Sequence, residues 1–514
     1  MCGISGFTGL GNEADLQSMT EALTHRGPDA TGYAGLPEIP LYLGHKRLSI
    51  LDHSGGEQPM WLRGRELGLV FNGEIYNHLE LRAELEILGH RFVSDHSDTE
   101  TLLRAYDQWG TSMTKKLNGM FAFVIFDKIK KRLFGARDHF GQKPFYYTQN
   151  SKLFAFSSEL SSLVKHPQIE ATQDKLSLMK YFAHDYIPAP RTVFKDIFKL
   201  PAGQQFIFNI DEKKLKIEEY WDFNLDTRPL TLSEGEIEEK LRGLLKSSVS
   251  RCLQTDVPYG VFLSGGIDSS CIAKYATDIV GAPIHTFSIY FEEKSFDESE
   301  YSNLMAKTLK SKHHFDHLSI NKAKGIIPTV LKNLDEPLGD ASLIPTYLVS
   351  QYAKKFVTVV LGGDGGDELF AGYDPFKALS YAETYQNYMP RGGHQWMTAI
   401  ANLIPVSHKN LSFDFKVKRF LRGLDHPSKY WTSQWMSSLA IPELEKLFGE
   451  KIRPEELFSE ALAAWEGCAN QNSVDQAIRY YVKMYMQNGI LTKVDRSSMM
   501  NSLEVRAPFL DTEL

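Results

Sequence analysis

The chain has 514 residues, 42% of them hydrophobic and 24% charged, with a formal net charge of −7. A length beyond about 250–300 residues predicts two domains or more. The acidic balance without a dominating Lys/Arg run argues against a nucleic-acid partner. The lack of any apolar stretch near 18 residues, or of a basic-then-apolar leader, argues against a membrane span or secretion signal.

In chain order, the first feature is Met1-Cys2-Gly3-Ile4. Removing Met1 would leave Cys2 first, with a free α-amine of pKa about 7.7–8.0 beside its thiol, able to take the thiol proton. Read alone, Cys2 is equally a small residue after the initiator. Residues 1–205 read as strand-rich: apolar runs such as Phe121–Phe126 and Leu153–Phe156 alternate with turn chemistry such as His139–Pro144. Two helices are predicted here. One covers roughly Leu79–Leu88 and stops at Gly89; the other starts at a capping-box pattern, Ser97-Asp98-Thr99-Glu100, and ends at Gly110. Residues 206–234, polar and mixed from Asp211 on, read as a connection.

From 235 to 514 the rhythm becomes strand, loop, helix. Strands are predicted at Val257–Leu263, His285–Phe291 and Phe356–Leu361, and helices through Ile272–Ile279 and Glu298–Lys310; residues 375–500 read as helical. The order implies a parallel sheet flanked by helices, with ligands at the strands' carboxyl ends. Two glycine loops stand there, Ser264–Ser270 and Gly362–Glu368. The first opens a helix, an arrangement suited to an anion, and lacks the spacing and lysine of a Walker loop. The four cysteines (Cys2, Cys252, Cys271, Cys468) form no CxxC or metal-ligand pattern, so a reducing, cytoplasmic compartment is expected.

Met1–Ile4, His25–Asp29, His45–Ile50, Asn72–Asn77 and Ser97-Asp98, in that order, resemble the class II glutamine amidotransferase domain. The resemblance implies an α+β glutaminase of Ntn-hydrolase type, antiparallel sheets packed as a sandwich, with Cys2 as nucleophile. Arg47 would fork onto the glutamine carboxylate and Asp98 hold its ammonium, with Glu74 and the run Leu48-Ser49-Ile50-Leu51 completing the pocket. The Asn72 amide and Gly73 N–H would form an oxyanion hole. Taken singly, a surface cation for Arg47 and a helix cap for Asp98 are the favoured readings; it is the ordered set of segments that outweighs them.

Ser264-Gly265-Gly266-Ile267-Asp268-Ser269 resembles the pyrophosphate loop of N-type ATP pyrophosphatases, an α/β fold. ATP would meet Leu263, Ser264, Gly265, Gly266, Asp268, Ser269, Ile289, Gly362 and Gly363; Asp268 and Asp367 would hold Mg²⁺. Asp364 would lie in the loop that handles ammonia and the activated intermediate, where some relatives carry glutamate. With Asp335–Pro337, Asp340–Ser342, Lys493–Arg496 and Ser502–Asp511, the resemblance to glutamine-hydrolysing asparagine synthetase covers nearly the whole chain. It implies aspartate, glutamine and ATP as substrates, β-aspartyl-AMP as intermediate, an internal ammonia tunnel, and a homodimer. The family pattern continues past Asp511 with a basic segment whose lysine meets the phosphates; this chain stops at Leu514. The expectation is a missing closing segment. Three alternatives stand beside asparagine synthesis: amidation of a cell-surface sugar, amidation of a peptide carboxylate, or glutaminase activity alone.

Overall fold

The structure is a computed structural model describing all residues except 37, 227, 229–230, 408–411 and 469–470. The amino-terminal strands are β1 (Gly3–Gly9), β2 (Ala30–Leu36), β3 (Leu41–Arg47), β4 (Met60–Leu62), β5 (Leu67–Ile75), β6 (Gly119–Asp127), β7 (Arg132–Arg137), β8 (Tyr146–Gln149), β9 (Leu153–Ser157), β10 (Ile197–Lys199), β11 (Gln204–Asn209) and β12 (Lys214–Glu219). They form two antiparallel sheets, ordered β10-β8-β9-β1-β3-β2 and β12-β11-β7-β6-β5-β4. The sheets stack face to face, Ile4, Leu43 and Phe156 against Val70, Val124 and Phe206. The second sheet's outer face packs Phe121, Phe123 and Ile125 on Leu81, Leu85, Leu102 and Leu103 of the helices His78–Ile87 and Asp98–Trp109. The first sheet's outer face is covered by Leu16 and Met19 of the helix Glu13–Glu21. β6 is therefore buried on both faces, which is why its sequence is an unbroken apolar run rather than an alternating one.

Three differences from the sequence reading have physical causes. Helices Glu13–Glu21 and Lys175–His184 also interrupt the strands; the first buries only Leu16, Met19 and Thr20, too thin a stripe to read, although Asn12 and Asp15 cap it reciprocally. The capping box at Ser97 is half formed. Ser97 Oγ accepts from Glu100 N, but the Glu100 carboxylate turns to the N–H groups of Val93 and Ser94. The expected boundary at 205 falls inside β11, and the expected connection 206–234 opens with the edge of the second sheet, which runs to Glu219. β11 and β12 pair there as a hairpin, and β12 is polar because it is an edge strand with a solvated face.

The second half holds β13 (Tyr259–Phe262), β14 (His285–Phe291), β15 (Lys312–Leu318), β16 (Val359–Leu361) and β17 (Glu504–Arg506) in a parallel sheet ordered β15-β14-β13-β16-β17. Helices fill most of 374–499 between β16 and β17. The charged edge strand β15 and the three-residue β17 carry no apolar run and escaped the reading. One core joins the halves: Met1, Leu48, Ile50, Tyr76 and Met120 pack with Leu245, Val261, Leu263 and Ile272.

Candidate active sites

The first site gathers Cys2 at the mouth of β1, Asn72, Gly73 and Glu74 on β5, the turn after β3, and the start of the helix Asp98–Trp109. The Cys2 N–H donates to Asn72 Oδ1 at 2.9 Å. That bond sets the amide's orientation and leaves Asn72 Nδ2 buried without a partner among the described residues. A Cβ on Gly73 would stand 2.1 Å from the Met120 carbonyl oxygen, so only glycine lets β5 lie this close to β6. Cys2 Sγ lies 4.0 Å from the Leu48 carbonyl oxygen, and burial pushes the thiol up. Burial thus disfavours the Cys2 thiolate, and a neighbouring base would favour its reaction.

Arg47 is buried and braces its own loop, donating to the carbonyls of Asp52 (2.8 Å) and His53 (2.9 Å). The same loop is pinned by Ser49 N to Asp29 Oδ2 (2.8 Å) and by Asp256 N to the Ile50 carbonyl (3.1 Å). Leu48 and Ile50 face the shared core and Leu51 is half-buried. Asp98 is not the cap of its helix, a place Ser97 takes; its carboxylate accepts from Ile75 N at 3.1 Å. Burial pushes the Asp98 carboxyl up; burial and then the Asp98 charge push Glu74 well above the usual range. Glu74 Oε2 accepts from Arg506 at 3.0 Å, while the buried Oε1 lacks a partner among the described residues. Two buried acids, a buried guanidinium and an unsatisfied amide N–H around a thiol complement an amino-acid zwitterion that carries an acyl group.

The second site is a cavity of about 950 Å³ at the carboxyl ends of β13, β14 and β16. Leu263, Ser264, Gly266, Asp268, Ser269, Ile289, Gly362, Gly363, Asp364 and Asp367 all line it. Gly265 does not: with φ +94°, its missing Cβ faces the helix Ser299–Leu309, 2.6 Å from Tyr301 Cβ and Ser302 N. Ser264 Oγ accepts from Gly266 N (3.2 Å) and meets Ser269 Oγ (3.0 Å), shaping the turn into the helix Ile267–Val280. That helix aims its amino end at the cavity, which favours a phosphate. The two glycine loops touch: a Cβ on Gly366 would lie 2.3 Å from Asp268 Oδ2. Burial and the neighbouring Asp367 raise the Asp268 carboxyl to about 6, and burial raises Asp367. Two neighbouring acids on an anion cradle fit Mg²⁺, which takes one or two carboxylates and completes its shell with phosphate and water. Among the described residues no cluster of three or more His, Cys, Asp or Glu offers an all-protein metal cage.

The glutamine amidotransferase domain family matches residues 1–221, and the asparagine synthase family matches residues 240–514. The chain belongs to the glutamine-hydrolysing asparagine synthetase family. A Methanocaldococcus jannaschii protein named putative asparagine synthetase (glutamine-hydrolyzing) 2 is 33% identical, over 99% of this chain and 100% of that protein. Bacillus subtilis asparagine synthetases 1 and 3, both named glutamine-hydrolyzing, are 32% and 31% identical over 99% and 100% of this chain, and are covered over 79% and 80% of their own lengths. The protein is thus a carbon–nitrogen ligase that draws its nitrogen from glutamine. No described helix is long and apolar enough to cross a membrane.

Between the two candidate sites lies a cavity of about 10 Å³, lined by Met1, Lys143, Asp364, Val494, Val505 and Ala507 among others. Asp364 and Val494 also line the large cavity, and Met1 adjoins Cys2. Four charged residues here had no role in the sequence reading. Lys493 lines the large cavity, with Nζ 3.0 Å from Ser342 Oγ and 3.6 Å from Asp340. Lys143 Nζ contacts Met1 Sδ and lies 4.0 Å from Asp495. Glu504 and Arg506 reach the first site from β17. Their spacing of two within S-L-E-V-R was the available signal, since it puts both on one face of a strand.

Proposed function

We propose that the protein makes asparagine from aspartate, ATP and the amide nitrogen of glutamine. The observation that carries this reading is the shared wall: the nucleotide-sized cavity and the cysteine site abut one small cavity bounded by Met1 and Asp364. Once Met1 is removed, the Cys2 α-amine takes the thiol proton and the thiolate attacks the glutamine δ-carbon. Asn72 Nδ2 and the Gly73 N–H stabilise the oxyanion; Asp98 and Glu74 hold the ammonium, and Arg47 the carboxylate. Ammonia leaves through the space beside Lys143 and Asp364, and water cleaves the thioester to glutamate.

In the large cavity the glycine cradle and its helix end hold the phosphates, with Leu263 and Ile289 against the base. Asp268 and Asp367 would hold Mg²⁺, which supplies charge for the departing pyrophosphate. The aspartate β-carboxylate attacks the α-phosphorus; ammonia then attacks the acyl carbon and AMP departs. Lys493 supplies a buried cation beside Asp364. The domains in this reading are a glutaminase through β12 and a synthetase unit from the helix Glu234–Cys252 onward.

The test is turnover of amide-¹⁵N glutamine with aspartate and ATP–Mg²⁺. Labelled asparagine, glutamate, AMP and pyrophosphate appear in equal amounts. C2A loses glutamine use at least about 10³-fold yet makes asparagine from ammonium chloride. Glutamine hydrolysis surviving in C2A, or AMP formation indifferent to aspartate, overturns the reading.

A further inference from the structure

β17 is a three-residue strand that touches both sites. In the sheet it lies beside β16, Leu361 opposite Arg506, and Gly362 N donates to the Arg506 carbonyl at 2.8 Å. Gly362 is the first residue of the loop that lines the large cavity. The Arg506 side chain runs the other way, fully buried, into the first site. Its Nη2 donates to Glu74 Oε2 at 3.0 Å and its Nε to Glu504 Oε1 at 2.7 Å. Nη1 is held by the carbonyls of Cys252 (3.0 Å) and Gln254 (2.7 Å), so the guanidinium has one available orientation. Glu74 needs that orientation. Its carboxylate is buried beside Asp98, one oxygen is on Arg506, and the other points without a partner among the described residues.

We propose that Arg506, a residue of the synthetase half, is a positioning residue for glutamine: it aims the free oxygen of Glu74 at the substrate and ties that aim to the loop at Gly362. The proposal rests on the glutaminase reading above. Arg506 touches no substrate; it acts through Glu74 by its side chain and through the nucleotide loop by its carbonyl. Arginine is required over lysine because only a fork reaches Glu74, Glu504 and two carbonyls together.

The experiment compares wild type, R506K, E74Q and the double variant as full-length protein. It measures glutamate release with and without ATP–Mg²⁺, and asparagine formation from ammonium chloride. R506K raises the glutamine KM about tenfold or more with kcat within about threefold, while ammonia-driven synthesis stays within about twofold. The double variant is no worse than E74Q, because both act on one carboxylate. In wild type, ATP–Mg²⁺ shifts the glutamine KM by about fivefold or more, the low end of ordinary site–site coupling. An unchanged KM in R506K, a loss shared equally by the ammonia-driven reaction, or additive effects overturn the proposal. Should R506K not fold, the wild-type shift decides: no change in KM on adding ATP–Mg²⁺ overturns it. A wild type that releases no glutamate removes the glutaminase reading itself, and a wild type that does so with R506K unaltered removes this proposal alone.

Discussion

At the residue scale, the glutaminase pocket is set by charges without full compensation. Glu74 and Asp98 are both pushed up by burial, which Arg506, 3.0 Å from Glu74, and the neighbouring His78 beside Asp98 offset only in part. Raised carboxyls take up protons sooner than exposed acids as pH falls, and a protonated acid does not hold an ammonium group. In the proposed pose the glutamine ammonium supplies the missing positive charge, so binding would favour the ionised form and expel protons. Titrating glutamine into C2A by calorimetry, in buffers of different ionisation heat, is expected to show proton release. Affinity falls as pH is lowered from about 7.5 to 5, the range in which an ordinary carboxyl stays ionised. A pH-independent affinity with no proton exchange would mean that these acids do not meet the ammonium.

At the scale of elements, the second site depends on two loops packed closely enough that side chains are excluded. Gly366 faces Asp268, and a methyl there would force the carboxylate aside. G366A is expected to lower ammonia-driven asparagine formation at least about tenfold, about 1.4 kcal/mol of transition-state stabilisation, and to leave glutamine hydrolysis unchanged. G243A, whose Cβ meets nothing within 4 Å in the helix Glu234–Cys252, is the control and should be neutral or slightly stabilising. Equal ATP-dependent rates in the two variants would remove Asp268 from phosphate chemistry. These loops were legible in sequence because their glycines and acids follow apolar strands. Cys2, Asn72 and Asp98 were legible as segments in order, not as a pocket, since β1, β5 and the helix meet only in three dimensions. Gly265 looked like its neighbours but packs on a helix, a distinction that spacing alone does not make. β17 was harder to read for another reason: two of its three residues, Glu504 and Arg506, are buried charges that meet each other and groups hundreds of positions away, such as Glu74 and the Cys252 carbonyl.

At the scale of the whole molecule, the halves are fixed by buried charge as well as apolar contact, and this bears on the proposed function because transfer of nitrogen between two sites would need a fixed alignment. Arg26 of the glutaminase half makes two bonds to Asp495, at 2.8 and 2.9 Å, and one to Glu159 at 2.8 Å. Arg496 in turn meets Glu159 at 2.7 Å and Asp335 at 3.1 Å. Burial alone would raise the Glu159 and Asp495 carboxyls, but Arg496 and His25 around Glu159, and Arg26 and Lys143 around Asp495, hold both below their ordinary values. Groups held down in this way contribute stability that is present above the unfolded carboxyl range and is lost as pH falls through the folded values, so this interface should weaken below about pH 4. Such a network is expected to specify one docking geometry more than it adds net stability. Removing one partner should therefore cost more than removing both. R26M is expected to lose about 3–5 kcal/mol in urea unfolding, whereas R26M/D495L recovers part of that, since Glu159 keeps Arg496 while Lys143 and the Cys2 carbonyl each lose a partner. The double variant should nevertheless release more free ammonia per asparagine than wild type, because an apolar contact does not fix the angle at which the two sites face each other. A double variant as unstable as R26M would show that the network stabilises rather than aligns. Unaltered nitrogen transfer in a stable double variant would show that the shared core of Met1, Leu48 and Leu263 holds the alignment without it.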